Sequence, residues 1–190
     1  MIYLEQFAFK SPKLLIFYLG GNTEKSHIEM HDVVFVIAKT DVEAAGKIRQ
    51  AWYGTEKSLH VDSWFVAEEV DGFNIKISKN RKSSQTHLYF VNLGYYKNGI
   101  FGENHFMTLV VAGSKIEAIE KANKKCYQDL EMLHSDNVYD LDDCIRIDEV
   151  DHSFIELEYR GLPKKPIMPI NGYHKLRPHP SNFELSDKNL

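Results

Sequence analysis

Hydrophobic and polar positions along the chain follow two rhythms, one of period two and one near 3.6, and the switches between them mark out the elements. Residues 13–19, KLLIFYL, are an aliphatic and aromatic run stopped by Gly20-Gly21, which reads as a strand and a tight turn. Residues 29–38 begin polar and are wholly apolar from Val33, as in a strand that enters a core. Thr40 and Glu43 have the spacing of a capping box, in which the threonine oxygen accepts from an orphan amide of a helix start. Val42, Ala45, Ile48 and Trp52 then recur at helical spacing, and Gly54 suits a left-handed helix cap. Residues 60–70 and 73–77 read as two strands joined by the hairpin signal Val70-Asp71-Gly72. The predicted unit is β-β-α-β-β.

The same rhythm returns 74 residues later. Leu14–Asp62 aligns with Leu88–Asp136 without a gap, and 14 of the 49 positions are identical, where roughly 3 are expected from average composition. Ser114 and Glu117 repeat the capping box, and Ile116, Ile119, Ala122 and Cys126 repeat the helical stripe. About six extra residues follow in the second copy, and register returns with Glu69-Val70-Asp71 against Glu149-Val150-Asp151. The fold class expected is therefore α+β: two tandem β-β-α-β-β repeats, each a mostly antiparallel sheet with one covering helix. A unit that small has a marginal core, so the copies are expected to pack as a pseudo-symmetric pair. The boundaries are 13–78 and 87–160 for the repeats and 79–86 for a basic linker. Residues 1–12 would add an edge strand, and 161–190 form an extension carrying five of the six prolines and a charge of +3, lying extended over the surface or partly disordered.

Chemistry-bearing residues fall on the strands. Glu29-x-His31 and His60-x-Asp62 each put two side chains on one strand face, and Glu103-x-His105 with His134-x-Asp136 are the second-copy equivalents. Two imidazoles and two carboxylates in one small volume suit a divalent transition metal such as Zn, Mn or Fe, with His31 and His60 as ligands. They also suit acid–base work, with Glu29 or Asp62 as the base for a metal-bound water. His27 and Asp32 have no counterpart in the second copy, where Phe101 and Phe106 stand. The plainer reading is that each histidine pairs with an acid for structural reasons. That reading is favoured, because no Cys-x-x-Cys, His-Glu-x-x-His or other high-specificity ligand spacing is present. Cys126 lies on the inward helical stripe as a small apolar residue, and no nucleophile elbow occurs.

Composition narrows the classes. Hydrophobic residues make up 43% of the chain and charged ones 26%, so a folded core is expected. The longest apolar run, Val33–Ala38, is far short of the roughly 20 residues of a membrane-spanning helix. The start, MIYLEQFAFK, carries no secretory-signal pattern. Two cysteines do not make a disulfide framework, which points to a reducing cytoplasm. The many aromatic residues are read as core rather than as base-stacking surface, because the net charge is −4 and nucleic acid is an unlikely partner for so acidic a body.

Tyr18-Leu19-Gly20-Gly21, Ile28-Glu29-Met30-His31-Asp32-Val33-Val34-Phe35-Val36, Trp52-Tyr53-Gly54, His60-Val61-Asp62-Ser63-Trp64 and Val70-Asp71-Gly72 together resemble the uncharacterised bacterial family catalogued as domain of unknown function 1543. The resemblance covers roughly residues 13–78, and the second copy is a diverged match that has lost the counterparts of Gly21, Asp32, Trp52 and Gly54. It implies a small cytoplasmic bacterial protein and assigns no activity, cofactor or catalytic residue. The function expected is a non-enzymatic binding or assembly module, with a protein partner or self-association. The alternative is a metal-dependent, hydrolase-like enzyme using the Glu-x-His and His-x-Asp residues.

Overall fold

The structure, a computed structural model, describes residues 3–129, 138–161 and 166–177. Among these the elements run β1 (Ala8–Gly21), β2 (Met30–Thr40), α1 (Asp41–Ala51), β3 (His60–Val66), β4 (Glu69–Val70), β5 (Phe73–Ser78), β6 (His87–Tyr95), β7 (Asn104–Ala112), α2 (Lys115–Asp129), β8 (Val138–Arg146), β9 (Glu149–Val150), β10 (Ser153–Tyr159) and β11 (Ile170–Lys175). The named strands pair antiparallel throughout, and the protein is α+β. No helix among the described residues is long and apolar enough to cross a membrane. The chain divides into two compact units, one of residues 1–68 and 166–190, the other of residues 69–165.

The first unit is a four-stranded sheet in the order β11-β3-β1-β2. Alternation along β1 sends Leu15, Phe17 and Leu19 to one face, where they pack with Val34, Val36 and Ala38 of β2, Val61 and Trp64 of β3, and Ala44 and Ile48 of α1. Fully burying a side chain of this size contributes about 1.5–3 kcal/mol, so this cluster is what holds the helix on the sheet. The helix turns less of its predicted stripe inward than its spacing suggests: Val42 is exposed, and Ala44, Ile48 and Trp52 make the contact with the core. The capping box forms as expected. The Glu43 amide donates to Thr40 Oγ1 at 3.2 Å, and the Lys39 amide donates back to Glu43 Oε2 at 2.8 Å.

That backbone bond, with Lys47 beside it, holds the Glu43 carboxyl below its ordinary range. A depressed folded-state value means stability that is present above the unfolded carboxyl range and lost as pH falls through the folded one. Glu43→Gln is therefore expected to cost only a few tenths of a kcal/mol at neutral pH, because the group is largely solvated. It should also make the acid limb of the melting temperature shallower, which thermal melts from pH 7 to pH 3 will check.

Two expectations are corrected. The strand before the first turn does not stop at Leu19; β1 runs through Gly20 and Gly21. Gly54 is not a left-handed cap, since α1 ends on Trp52 in extended backbone. Instead a Cβ at Gly54 would come within 2.7 Å of both the Asn22 carbonyl oxygen and the Trp52 ring, so close approach is what demands glycine. Strand structure also takes in residues on either side of the predicted repeats. Residues from Ala8 lengthen β1, Leu4 is buried, and part of the proline-bearing extension forms β11 on the edge of β3.

The second unit contains a sheet in the order β7-β6-β8, covered by α2 through Ala118, Ala122 and Cys126, and a second sheet in the order β4-β5-β10-β9. The strand order β8-β6-β7 matches β3-β1-β2 of the first unit. Compact units and sequence repeats do not coincide, however, because β4 and β5 lie in the second unit. Their turn, Asp71-Gly72, has positive φ at both residues, as a two-residue hairpin of the type I′ kind requires. At the sheet centre β5 and β10 pair Ile75 with Leu157, Lys76 with Glu156 and Ile77 with Ile155.

Candidate functional site

The site is laid out by strand register. On the central strand, Gly20 pairs with His31 of β2 on one side and with His60 of β3 on the other. Both imidazoles thus flank a residue with no side chain. The pairing of β1 with β3 shifts between Leu19, opposite Val61, and Tyr18, opposite Ser63, which leaves Asp62 as the extra residue of a bulge. Bulges re-aim a side chain, and here the carboxylate of Asp62 turns to the imidazoles. Glu29 lies in the loop just before β2 rather than on the strand itself.

Four contacts join these four side chains. His60 Nε2 is 3.1 Å from Asp62 Oδ1 and 3.2 Å from Glu29 Oε1. His31 Nε2 is 3.3 Å from Asp62 Oδ2 and 3.8 Å from Glu29 Oε2. None of the four is a hydrogen bond: His60 Nε2 and Asp62 Oδ2 are buried without a hydrogen-bond partner, and the remaining contact is too long. Glu29, His60 and Asp62 each present a donor atom within 4.8 Å of the other two. His31 meets the same carboxylates through their other oxygens. The sequence-level grouping of Glu29, His31, His60 and Asp62 is thus one spatial cluster. His27 is exposed and precedes β2, and Asp32 accepts the Val33 amide at 2.8 Å.

The surroundings fix His60 in one state of use. Its side chain is 1% exposed, and Nδ1 lies 2.9 Å from the Ser58 carbonyl oxygen. A carbonyl only accepts, so Nδ1 is the donor of that contact and Nε2 is the ring nitrogen turned to the carboxylates. Ser58 itself is held by Thr55 and Asn22, the Asn22 amide donating to Ser58 Oγ at 2.8 Å. Tyr173 of β11 stacks on His60 with centroids 3.9 Å apart, and Tyr18 stacks on His31 at 5.0 Å. Burial, and then the nearby Asp62 carboxylate, push the Tyr18 phenol above its ordinary value, so it stays protonated at neutral pH.

Gly20, Ser58 and Tyr173 escaped the reading of the sequence. Only Gly20 left a signal there, as a glycine recurring at Gly94, and it was read as part of a turn. A Cβ at Gly20 would lie 2.5 Å from both His60 Nε2 and Asp62 Oδ2.

The second unit carries a related group, Glu103, His105 and Asp142, wholly at the exposed surface. Register corrects its membership. Gly94 pairs with His105 and with Asp140, Leu93 with Leu141, and Asn92 with Asp143, so the strand equivalents of His60 and Asp62 are Asp140 and Asp142. His134 and Asp136, the pair expected from the gapless alignment, lie outside the described residues. The extra residues of the second copy enter before β8, not after it, which moves the alignment by six positions. His105 Nδ1 makes a true hydrogen bond to Asp142 Oδ2 at 2.8 Å, and Asn92 donates to the same oxygen at 3.3 Å.

Fold and cluster together define an α+β protein whose antiparallel sheet carries an acid–imidazole group across its central strand. Residues 26–77, which include all four cluster residues, match the model of the family described as Domain of Unknown Function (DUF1543). The chain is also similar to a solved structure, that of protein Il1583 from Idiomarina loihiensis. The two are 32% identical with a TM-score of 0.68, and the match covers 86% of this chain and 97% of that one. Residues 26–77 are thus a DUF1543 domain. No curated protein matches the sequence.

Proposed function

We propose that the protein is a divalent transition-metal-binding module, built by tandem duplication, in which the first copy holds the ion through His60, Glu29 and Asp62. The observation that carries this is the buried Nε2 atom of His60, which meets two carboxylate oxygens at 3.1 and 3.2 Å with no hydrogen bond between them. Three atoms of ligand type, one from each residue, converge within 4.8 Å of one another. Ligands of one ion, with bonds near 2.0–2.2 Å set tetrahedrally, stand about 3.3 Å apart, which agrees with these contacts. The Ser58 carbonyl on Nδ1 supplies the outer partner that orients a ligating histidine. Mixed imidazole and carboxylate donors suit Zn, Mn or Fe over Ca or Mg.

The duplication is supported by the shared strand order and by the matching positions of Gly20 and Gly94 between a histidine and an acid-bearing strand. In the second copy an aspartate stands where His60 would be, and His105 and Asp142 satisfy each other; structural pairing is the reading there. Hydrolytic turnover would need Glu29 or Asp62 free of the metal as a general base. Both are within ligand distance of an imidazole, which favours binding over catalysis. The setting is the bacterial cytoplasm, in keeping with two cysteines, Cys126 and Cys144, that are not joined in a disulfide.

The test is elemental analysis and thermal melting of tag-free, full-length protein after chelation and reloading with Zn(II) or Mn(II). At 100 times Kd the ion should stabilise the fold by about 2.7 kcal/mol. His60→Ala, and Glu29→Gln as the surface control that leaves packing intact, should abolish that gain. Absence of bound metal and of any thermal shift at millimolar metal would overturn the proposal and return the cluster to structural pairing.

A further inference from the structure

Resting on that reading, we infer that the cluster holds two divalent cations, bridged by Glu29 and Asp62, with His60 a ligand of an inner ion and His31 of an outer one. The carboxylates carry the argument. Each offers one oxygen to one imidazole and the other oxygen to the other: Asp62 Oδ1 faces His60 and Oδ2 faces His31, at 3.1 and 3.3 Å. Glu29 Oε1 faces His60 and Oε2 faces His31, at 3.2 and 3.8 Å. A carboxylate with its two oxygens on different ions spans the separation of about 3.5–4 Å seen in two-metal sites. A mononuclear site would instead bring both imidazoles to the same oxygens.

Strand geometry favours the same division. His31 and His60 are on strands two apart, so their Cα atoms are separated by about 9–10 Å and the rings lean inward over Gly20 from opposite sides. Asp62 Oδ2 is buried and without a hydrogen-bond partner, and it is the oxygen on the His31 side. The second position therefore has its own unpartnered acceptor, independent of His60 Nε2.

Each ion receives three protein donors, one imidazole nitrogen and one oxygen from each carboxylate. Exposure grades across the pair, from 1% for the His60 side chain to 37% for His31. The inner ion is shielded under Tyr173 and loads first. The outer ion faces solvent, where water or a small anion completes the coordination of both and offsets the charge that two carboxylates leave unmatched.

The experiment is a Mn(II) titration of the chelated, tag-free full chain, with bound metal measured by equilibrium dialysis and EPR recorded at each step. Two ions per chain are expected, and the isolated-ion spectrum should give way to an exchange-coupled one as the second loads. His31→Ala, a change at a half-exposed position, should retain one ion and lose the coupling. One ion per chain, unaffected by His31→Ala, would overturn the bridged pair and leave the proposed function standing. Two uncoupled ions, one of them lost in His105→Ala, would overturn it as well by placing the second ion in the other unit. No bound metal would sink the proposed function and this inference together.

Discussion

Gly20→Ala should lower metal affinity by about 100-fold or more and cost about 1–3 kcal/mol of stability. The alanine methyl would lie 2.5 Å from His60 Nε2, 2.5 Å from Asp62 Oδ2 and 2.9 Å from His60 Cε1. Something has to move, and His60 is poorly placed to do so. Its ring is buried, bonded through Nδ1 to the Ser58 carbonyl and covered by Tyr173. Asp62 is the more exposed partner, so its carboxylate leaves first and removes a ligand from either ion. Gly94→Ala is the matched control. Its methyl would meet Glu103 Oε1 at the same 2.5 Å, but Glu103 is an exposed side chain approached at its flexible end. It can swing away for well under 1 kcal/mol. Dialysis and thermal melts of the two variants make the comparison. Wild-type metal binding by Gly20→Ala would show that no ligand occupies the space over Gly20.

The cluster was legible in part: His31 and His60 stand on the two strands that flank Gly20, whereas Glu29 reaches them from the loop before β2 and Asp62 through a bulge, which strand periodicity does not display. Its second-copy counterpart was misread because Leu59-His60-x-Asp62 has a close match at Leu133-His134-x-Asp136, six residues ahead of Asp140 and Asp142 on the strand. Short identities cannot locate an insertion, whereas hydrogen-bond register does. Tyr173 was out of reach for a different reason. Ile170–Lys175 has neither clean alternation nor an apolar run, and it becomes a strand only because β3 offers it an open edge. Nor could local pattern reveal which sheet the β4–β5 hairpin joins, since a hairpin's turn chemistry is the same wherever it docks.

That hairpin sets the second large effect: Asp71→Ala is expected to destabilise the second unit by about 3–5 kcal/mol. Asp71 sits at the hairpin turn with φ of 53°, a backbone that aspartate tolerates and alanine does not, at about 1 kcal/mol for the exchange. Its side chain is 10% exposed. Oδ2 accepts the amide of Val111 on β7 at 2.8 Å, while Oδ1 faces Lys125 Nζ of α2 at 3.0 Å. One carboxylate therefore ties three elements: the hairpin, a strand and the helix. Removing it leaves a buried strand amide without that acceptor and a half-buried ammonium that keeps its bond to the Leu109 carbonyl. Asp71→Asn separates the contributions, because an amide oxygen still accepts from Val111 and asparagine still tolerates the turn. Its expected cost is about 1–2 kcal/mol, the share of the ion pair with Lys125. Chemical denaturation of the three proteins gives the order wild type, Asn, Ala. Equal and small losses for both variants would mean that packing of Val70 and its neighbours, rather than the aspartate, docks the hairpin; a large loss confined to alanine would assign the effect to the turn and the strand amide.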